Sequence, residues 1–341
     1  MATPSMKSWR LPQFGLSHLR LEEVAVPRPG PSEVLVRVKA ASLNFRDKLI
    51  VEGTMLPDLA LPFVPVSDAA GEVVEVGREV KRLHPGDRAV THFVTKWIDG
   101  APSRDYAAYT TTLGGPLAGV LSEYVVLDES ALIKAPGTLS DVEASTLPIA
   151  ALTAWFALFE TGKLAPGETI VVQGTGGVSM FALQFAAAAG ARVIVTSSSD
   201  EKLARAKSLG ASAGINYAKQ PNWDEEVKEL TGGRGADHVI EVVGGKNVRR
   251  SVNAIGNGGR ISLIGLLEGA SLSLEAIPIF LKRITMQGIA VGHRRAFEAM
   301  NAAIDAMQLK PVIDSTFAFA DAPAAFKRLE QGPFGKVAVT F

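Results

Sequence analysis

Residues 169–199 constrain the fold of this chain more than any other stretch. An apolar run, residues 170–172, precedes Gly174, Gly176 and Gly177, and apolar residues at helical spacing then continue towards Gly190. A second run rich in β-branched residues follows at 192–195. This succession of strand, tight glycine turn, helix and strand predicts a βαβ unit of a parallel sheet.

The glycine turn predicts a binding site for a dinucleotide. Glycines let the backbone approach a pyrophosphate, and the helix that follows offers free N–H groups and the positive end of its dipole. The residues expected at the pyrophosphate are Gly174, Thr175, Gly176, Gly177 and Val178. Ser179 replaces the last glycine of the G-x-G-x-x-G fingerprint, so the prediction depends on the strand and helix around the motif.

The end of the second strand favours NADP(H) over NAD(H). NAD-binding units carry an acid here for the ribose 2′-hydroxyl, whereas this chain has Ser197, Ser198 and Ser199, followed by Lys202. Hydroxyl donors and a cation suit a 2′-phosphate. Ser198 and Glu201 also match the S-x-x-E capping box, so a structural role for Ser198 stays open beside the cofactor role.

Composition excludes several classes of protein. A length of 341 residues with 47% hydrophobic residues suffices for about two domains with large cores. The 35 basic and 35 acidic residues cancel, which disfavours nucleic acid and anionic membranes as partners. The chain has no cysteine, which excludes disulfides, thiol nucleophiles and cysteine-based zinc sites. No apolar run suits a membrane helix or a signal peptide, so a cytoplasmic protein is expected.

The rest of the chain predicts two architectures. From Trp9 to about Asp128, short strands alternate with Pro and Gly turns, which is typical of an antiparallel, partly closed β barrel. An apolar helix is expected at 147–159, and further strands are expected at 213–216, 238–243, 261–265 and 284–291. With the βαβ unit they make a six-stranded, doubly wound parallel sheet, and the fold class is α/β. A loop is expected at 106–119, an amphipathic helix at 296–307 and a closing strand at 335–341.

Several motifs resemble the medium-chain dehydrogenase/reductase superfamily, and within it the zinc-free branch that includes quinone oxidoreductases. They are P-R-P-x-P-x-E-V-L-V at 27–36, A-A-S-L-N-F-R-D at 40–47, A-G-E-V-V-E-V-G at 70–77, H-P-G-D-R at 84–88, G-T-G-G-V at 174–178 and G-P-F-G-K-V at 332–337. The resemblance implies a GroES-like catalytic domain at 1–134, to which residues 293–341 return. It also implies a Rossmann domain at 135–292 and hydride transfer to or from a nicotinamide.

The departures from the superfamily concern the metal and the proton donor. Zinc-dependent members place a catalytic zinc on Cys, His and Cys, but here Asn44 stands at the first position and the G-H-E stretch is 66–68, Val-Ser-Asp. Related enoyl reductases use a tyrosine where this chain has Met55, and Phe45 replaces another tyrosine of the family. We therefore expect no metal site, and we expect solvent or a cofactor hydroxyl to supply the proton.

Four side chains remain as candidates near the reaction. Asn44 is expected to contact the nicotinamide ribose or the backbone, and Thr153 to lie near the nicotinamide. Asp47 and His92 are candidate catalytic groups. The alternative for Asp47 is a structural pairing with Arg46 or a backbone N–H, and the alternative for His92 is a buried structural histidine. The other four histidines show no metal-ligand spacing.

The resemblance also carries cofactor contacts onto this chain. Ser197, Lys202 and Tyr217 match positions around the adenosine 2′-phosphate. Weaker matches at strand ends and in the C-terminal F-G-K stretch are Val243, Gly265, Val291, Gly292 and Lys336.

These observations lead to one functional expectation and two rivals. The expectation is a metal-independent, NADP(H)-preferring homodimeric oxidoreductase for quinones, enones or related carbonyl compounds. The first rival is a nicotinamide-binding redox sensor or structural protein without turnover. The second is an alcohol dehydrogenase that recruits a metal through Ser67 and Asp68.

Overall fold

A computed structural model describes residues 4–107 and 110–341, and it divides the chain into two compact units. The first unit comprises the chain up to Leu152 together with Val291–Phe341, and the second comprises Thr153–Ala290. Residues 135–152, which the family resemblance assigns to the Rossmann domain, belong by their contacts to the first unit. None of the described helices is long and apolar enough to cross a bilayer.

The first unit consists mainly of β structure. Its strands are β1 (Ser5–Arg10), β2 (Arg20–Ala25), β3 (Glu33–Leu43), β4 (Asp68–Val76), β5 (Arg88–Thr91), β6 (Tyr124–Asp128), β7 (Leu132–Lys134), and, from the C-terminal part, β14 (Ile313–Ala318) and β15 (Lys336–Thr340). β1 and β2 form an antiparallel pair. The other seven strands form one sheet in the order β14-β15-β3-β4-β5-β7, with β6 also pairing with β3. All neighbours are antiparallel except β14 and β15.

The helices of the first unit are short, apart from the two near the C-terminus. They are α1 (Phe45–Val51), α2 (Arg104–Ala107), α3 (Asp141–Ser145), α10 (Arg294–Met307) and α11 (Ala322–Glu330). Alternate residues of β3, including Val34, Val36 and Val38, join Val337 and Val339 of β15 in one apolar core. Because β15 pairs with β3, the C-terminal residues lie beside residues 40–43.

The second unit is a doubly wound α/β fold, as the sequence predicts. Its strands are β8 (Thr169–Gln173), β9 (Arg192–Ser197), β10 (Ala213–Asn216), β11 (Ala236–Glu241), β12 (Ile255–Leu263) and β13 (Thr285–Gly288). They are all parallel and lie in the order β10-β9-β8-β11-β12-β13. The order reverses between β8 and β11, and ligands of such sheets bind outside the carboxyl ends of the strands at this switch point.

Along the chain, the helices of the second unit alternate with its strands. They are α5 (Gly177–Ala188), α6 (Asp200–Ser208), α7 (Trp223–Leu230), α8 (Val248–Ala254) and α9 (Ala276–Lys282). One buried residue from each of five neighbouring strands forms the centre of the core: Ile215, Ile194, Val171, Val239 and Ile261. Continuous burial of β8 on both faces explains why its sequence is an unbroken apolar run.

Some elements differ from the sequence prediction. The helix expected at 147–159 is helical over 147–161, but it contains π-helical turns at Leu147–Ala151 and Phe156–Thr161 on either side of α4 (Leu152–Trp155). The last strand of the parallel sheet ends at Gly288 rather than at Val291, whose positive φ of 70° is incompatible with a strand. Part of the loop expected at 106–119 lies outside the described residues.

Candidate functional site

The glycine turn after β8 has the backbone geometry and the free space that a pyrophosphate needs. Gly174 has a φ of +69°, which only glycine adopts readily, and Gly176 is the N-cap of α5. Apart from the adjacent residues of the chain, no described atom lies within 4 Å of the position that a Cβ on Gly176 would occupy. Gly177 and Val178 begin the helix, so their amides are among its orphan donors, and Thr175 is buried in the turn.

Ser179 has a structural role in this turn. Its hydroxyl donates to the carbonyl oxygen of Gln173 at 2.7 Å and so ties α5 to the end of β8. A glycine at this position lets helix and strand pack closely, and here a hydrogen bond joins them instead. The altered fingerprint therefore keeps the strand–turn–helix geometry.

A buried network connects the carboxyl ends of β8 and β11 at the switch point. Glu241 is fully buried, and its oxygens accept hydrogen bonds from the Gln173 amide at 2.9 Å and from the backbone N–H groups of Val243 and Gly244 at 2.9 and 3.0 Å. Asn247 and Ser251 complete its shell. Glu241 thereby holds the loop of Val243, one of the predicted cofactor contacts, and its sequence signal is a single acid inside the apolar run at 239–243.

The residues proposed to surround a 2′-phosphate lie at the ends of β9 and β10. Ser197 is buried, and Ser198 is exposed. Tyr217 is 43% exposed, and its backbone N–H donates to the Ser197 carbonyl at 3.0 Å, so both residues lie at one edge of the sheet. Lys202 is on the first turn of α6, where its backbone N–H reaches the Ser199 hydroxyl at 3.3 Å.

Two expectations about this edge need correction. The N-cap of α6 is Ser199, not Ser198, so the capping alternative belongs to the neighbouring serine. The edge also contains an acid, Asp200, although the sequence predicts only hydroxyl groups and a cation there. Its carboxylate is bound by the Asn216 amide and by the Lys219 ammonium, which offsets its charge.

The other predicted contacts in the second unit have distinct environments. Gly265 follows β12, and a Cβ there would lie 1.9 Å from the carbonyl oxygen of Val242, so only glycine fits this close approach. Thr153, at the start of the unit, is buried in the helical segment that contains α4.

In the first unit, Asn44 and Asp47 lie at the start of α1. Asn44 is the N-cap, and its backbone N–H donates to Asp47 at 2.7 Å. Asp47 is fully buried, and its second carboxylate oxygen has no hydrogen-bond partner. Arg46 lies 3.7 Å from that oxygen but donates to the carbonyls of residues 113–115 instead. Burial raises the pKa of Asp47 to about 6, against the attraction of Arg46.

His92 follows β5 and is held as a neutral ring. Its Nε2 lies 3.1 Å from the carbonyl oxygen of Gly292, so Nε2 carries the proton, and the buried Nδ1 has no partner. Burial lowers the pKa of His92 to about 4. A neutral histidine is a poor proton donor at neutral pH, which disfavours the catalytic role. The same contact places Val291 and Gly292 beside β5.

Lys336 is the centre of a buried polar cluster, which we call the Lys336 cluster: Asn44, Asp47, Asp68 and Lys336. The ammonium donates to the carbonyl oxygen of Leu43 and to Asn44 Oδ1, both at 2.7 Å, and lies 4.0 Å from Asp68 Oδ2. Asp68 also accepts from the Ser67 hydroxyl at 2.7 Å and from the Ile149 N–H at 3.1 Å. Burial lowers the pKa of Lys336, and the carboxylates of Asp68 and Asp47 oppose that shift.

The Lys336 cluster does not fit a zinc ion. Zinc in proteins takes mainly thiolate and imidazole ligands in a tetrahedral set. The family resemblance assigns Asn44 and residues 66–68 to the ligand positions of zinc-dependent members. They supply an amide, a hydroxyl and a carboxylate that already has two hydrogen bonds, with an ammonium beside them. Within residues 4–107 and 110–341, no group of three or more His, Cys, Asp or Glu side chains is arranged to hold a metal ion.

Comparison with known families and proteins agrees with this architecture. A model of the alcohol dehydrogenase GroES-like domain matches residues 30–137, and a model described as zinc-binding dehydrogenase matches residues 177–307. The first match confirms the expected GroES-like domain, and the second begins at α5 and covers most of the parallel-sheet unit.

Individual relatives carry both alcohol dehydrogenase and quinone oxidoreductase names. The chain is 44% identical to a zinc-type alcohol dehydrogenase-like protein from Schizosaccharomyces pombe, over 95% of each chain. It is 31% identical to quinone oxidoreductase-like protein 2 from Rattus norvegicus, over 80% of this chain and 72% of that protein. A crystal structure of a putative alcohol dehydrogenase from Sinorhizobium meliloti 1021 has a TM-score of 0.94 and 50% identity, with both chains fully covered. The chain therefore belongs to the medium-chain dehydrogenase/reductase superfamily of nicotinamide-dependent oxidoreductases.

Proposed function

We propose that this protein is an NADP(H)-preferring, zinc-independent oxidoreductase that transfers a hydride between the nicotinamide and a quinone, an enone or a related carbonyl compound. The observation that carries the proposal is the Lys336 ammonium, which lies among residues at the zinc-ligand positions of relatives. Alcohol oxidation in this superfamily uses zinc to stabilise an alkoxide, whereas quinones and enones accept a hydride without a metal because a conjugated carbonyl delocalises the charge.

Two groups of residues in the second unit would hold the dinucleotide. The turn from Gly174 to Val178 would hold the pyrophosphate, and Glu241 would keep the Val243 loop in place beside it. When bound, the nicotinamide supplies or accepts the hydride. An enone gains that hydride at the carbon β to its carbonyl and a proton at the α carbon.

The proton donor is solvent or a hydroxyl of the cofactor. His92 is neutral, and its Nε2 proton is engaged by Gly292. The two family tyrosines are replaced by Phe45 and Met55. The proposed protonation therefore uses neither His92 nor a tyrosine at the two family positions.

The preference for NADP(H) rests on Ser197, Lys202 and Tyr217. Replacing Lys202 and Tyr217 together with Met and Phe should weaken NADPH binding far more than NADH binding, because only NADPH carries the charged 2′-phosphate. Titration calorimetry with both dinucleotides measures this, and exposed Lys327→Met is the control. Equal losses for NADPH and NADH would contradict the assignment.

Turnover separates the proposed enzyme from its rivals. We expect steady-state oxidation of NADPH in the presence of quinones or enones, unchanged by a chelator. A redox sensor would bind NADPH without turnover. An alcohol dehydrogenase with atypical ligands would contain about one equivalent of metal and lose activity with the chelator.

We also propose that the enzyme is a homodimer joined through the edge of the parallel sheet. β13 is an edge strand, and nearby α9 exposes Ile277, Phe280 and Leu281 at 69%, 72% and 78%. An unpaired edge beside an apolar patch is typical of an interface, and a second copy meeting it about a two-fold axis would cover both. Phe280→Asp with Leu281→Asp should give a monomer in light scattering, whereas Met307→Asp should not. A monomeric wild type would contradict the proposal.

A further inference from the structure

The Lys336 ammonium occupies a fixed position in the first unit. Lys336 begins β15, and its side chain is 3% exposed. Two of its contacts are neutral oxygens at 2.7 Å, from Leu43 and Asn44, and the carboxylate of Asp68 lies 4.0 Å away. A buried cation is stable only with such partners.

The partners of this ammonium stand at two of the positions where zinc-dependent relatives bind their metal. Asn44 matches the first ligand position, and Asp68 ends the stretch that matches G-H-E. The ammonium interacts with both, so a divalent cation at the same place would meet a like charge. Each carboxylate oxygen of Asp68 already accepts one hydrogen bond, from the Ser67 hydroxyl or from the Ile149 N–H.

We propose that Lys336 carries the positive charge of this site in place of a metal ion and, by binding Asn44 Oδ1, positions the Asn44 amide for the reaction. This rests on the proposed function. Lys336 is a positioning residue, because it acts through Asn44. The consequence is a site whose cation is part of the chain and cannot be removed by a chelator.

A purely structural lysine makes a different prediction. If Lys336 only joined β15 to β3, its loss would lower the denaturation midpoint without changing kcat in the molecules that remain folded. If Lys336 positions Asn44, folded molecules without the ammonium should still bind NADPH but turn over slowly.

The decisive experiment uses the absence of cysteine in this chain. Lys336→Cys introduces the only thiol, which 2-bromoethylamine alkylates in denaturant with loss of bromide, and the refolded product has a lysine-like ammonium at position 336. Wild type taken through the same unfolding, alkylation and refolding is the control, since it has no thiol to modify. Lys336→Met supplies the neutral isostere, and Lys327→Met controls for loss of a lysine.

We expect Lys336→Met and unmodified Lys336→Cys to lower kcat for NADPH oxidation by about 10- to 100-fold, the range for losing a group that orients a first contact. Aminoethylation should restore most of this loss. Wild-type kcat in Lys336→Met, or no gain on aminoethylation of a refolded protein, would overturn the positioning role.

A second measurement does not depend on turnover. Wild type titrated with Co²⁺ should show no stoichiometric d–d absorption, and purified protein should contain no equivalent of zinc. One equivalent of metal in wild type that disappears in Asp68→Asn would overturn the inference, even if the variants at 336 failed to fold. If metal binding is absent and NADPH oxidation is also absent, the proposed function has failed while the cation assignment remains.

Discussion

The glycine turn after β8 and the Lys336 cluster differ in what each leaves for a ligand. The turn is built from backbone, has open space at Gly176, and gains its chemistry from unpaired helical amides. The Lys336 cluster is built from side chains that are packed and already paired, apart from one Asp47 oxygen and the Asn44 amide nitrogen. The first region is therefore built to receive charge from a ligand, and the second has its charges balanced within the protein.

The largest expected effect concerns the glycine turn after β8, which has free space for a ligand. Gly176→Val places its Cβ where no described atom outside the adjacent residues lies within 4 Å, and φ is negative there, so the fold should tolerate it. A bound pyrophosphate would collide with that side chain. We expect NADPH affinity to fall by about 1,000-fold or more, which corresponds to about 4 kcal/mol.

Calorimetric titration with NADPH measures this loss, and thermal melting checks the fold. Gly137→Val, at an exposed glycine whose Cβ would meet only one atom at 4.0 Å, is the matched control and should bind normally. Unchanged affinity in Gly176→Val would mean that the dinucleotide does not use this turn.

The next effect concerns the Lys336 cluster, and it depends on pH. Burial raises the pKa of Asp47 to about 6, so between about pH 4 and pH 6 the folded chain keeps a proton that the unfolded chain has released. Stability must then fall as pH rises through this window, by up to about 3 kcal/mol. Asp47→Asn removes this penalty, so its advantage over wild type should be near zero at pH 4 and of order 1–3 kcal/mol at pH 8.

Urea denaturation of both proteins at several pH values measures the difference, with exposed Asp58→Asn as the matched control. A variant that is destabilised at pH 8, and by more than at pH 4, would contradict the raised pKa and show that the Asp47 carboxylate stabilises the fold as an anion, through Arg46 and Lys336.

The two regions also differ in how far the sequence predicts them. The turn lies within one continuous segment, where the hydrophobic period and the glycine positions determine strand, turn and helix. The bounds of β10, Ala213–Asn216, are likewise predicted to the residue. The Lys336 cluster joins residues 44, 47, 68 and 336, which meet only because β15 pairs with β3 and β3 with β4. Each of these residues was notable in the sequence, but their contact follows from strand register, which a single sequence does not specify.

The hydrogen-bond and ion-pair partners of acidic residues were harder to predict than the backbone, because they too depend on which strands are neighbours. The pairing of Asp200 with Asn216 and Lys219 depends on two neighbouring strand ends, β9 and β10. The five donors around the Glu241 carboxylate come from β8, the loop after β11 and α8. Helix α9 was missed because its apolar residues are exposed rather than on a buried face, so no amphipathic period marks it.

The smallest expected effect separates packing from binding within the turn itself. Ser179 replaces a fingerprint glycine, yet its hydroxyl donates to the Gln173 carbonyl and lies away from the open space at Gly176. Ser179→Ala should therefore cost about 1 kcal/mol in the free energy of unfolding, because it leaves a buried acceptor without this donor, while NADPH affinity stays unchanged. Urea denaturation and calorimetry of the same preparation measure both quantities, with exposed Ser208→Ala as the control. A loss of affinity without a loss of stability would instead assign the Ser179 hydroxyl to the pyrophosphate, and the turn would then depend on a side chain as the Lys336 cluster does.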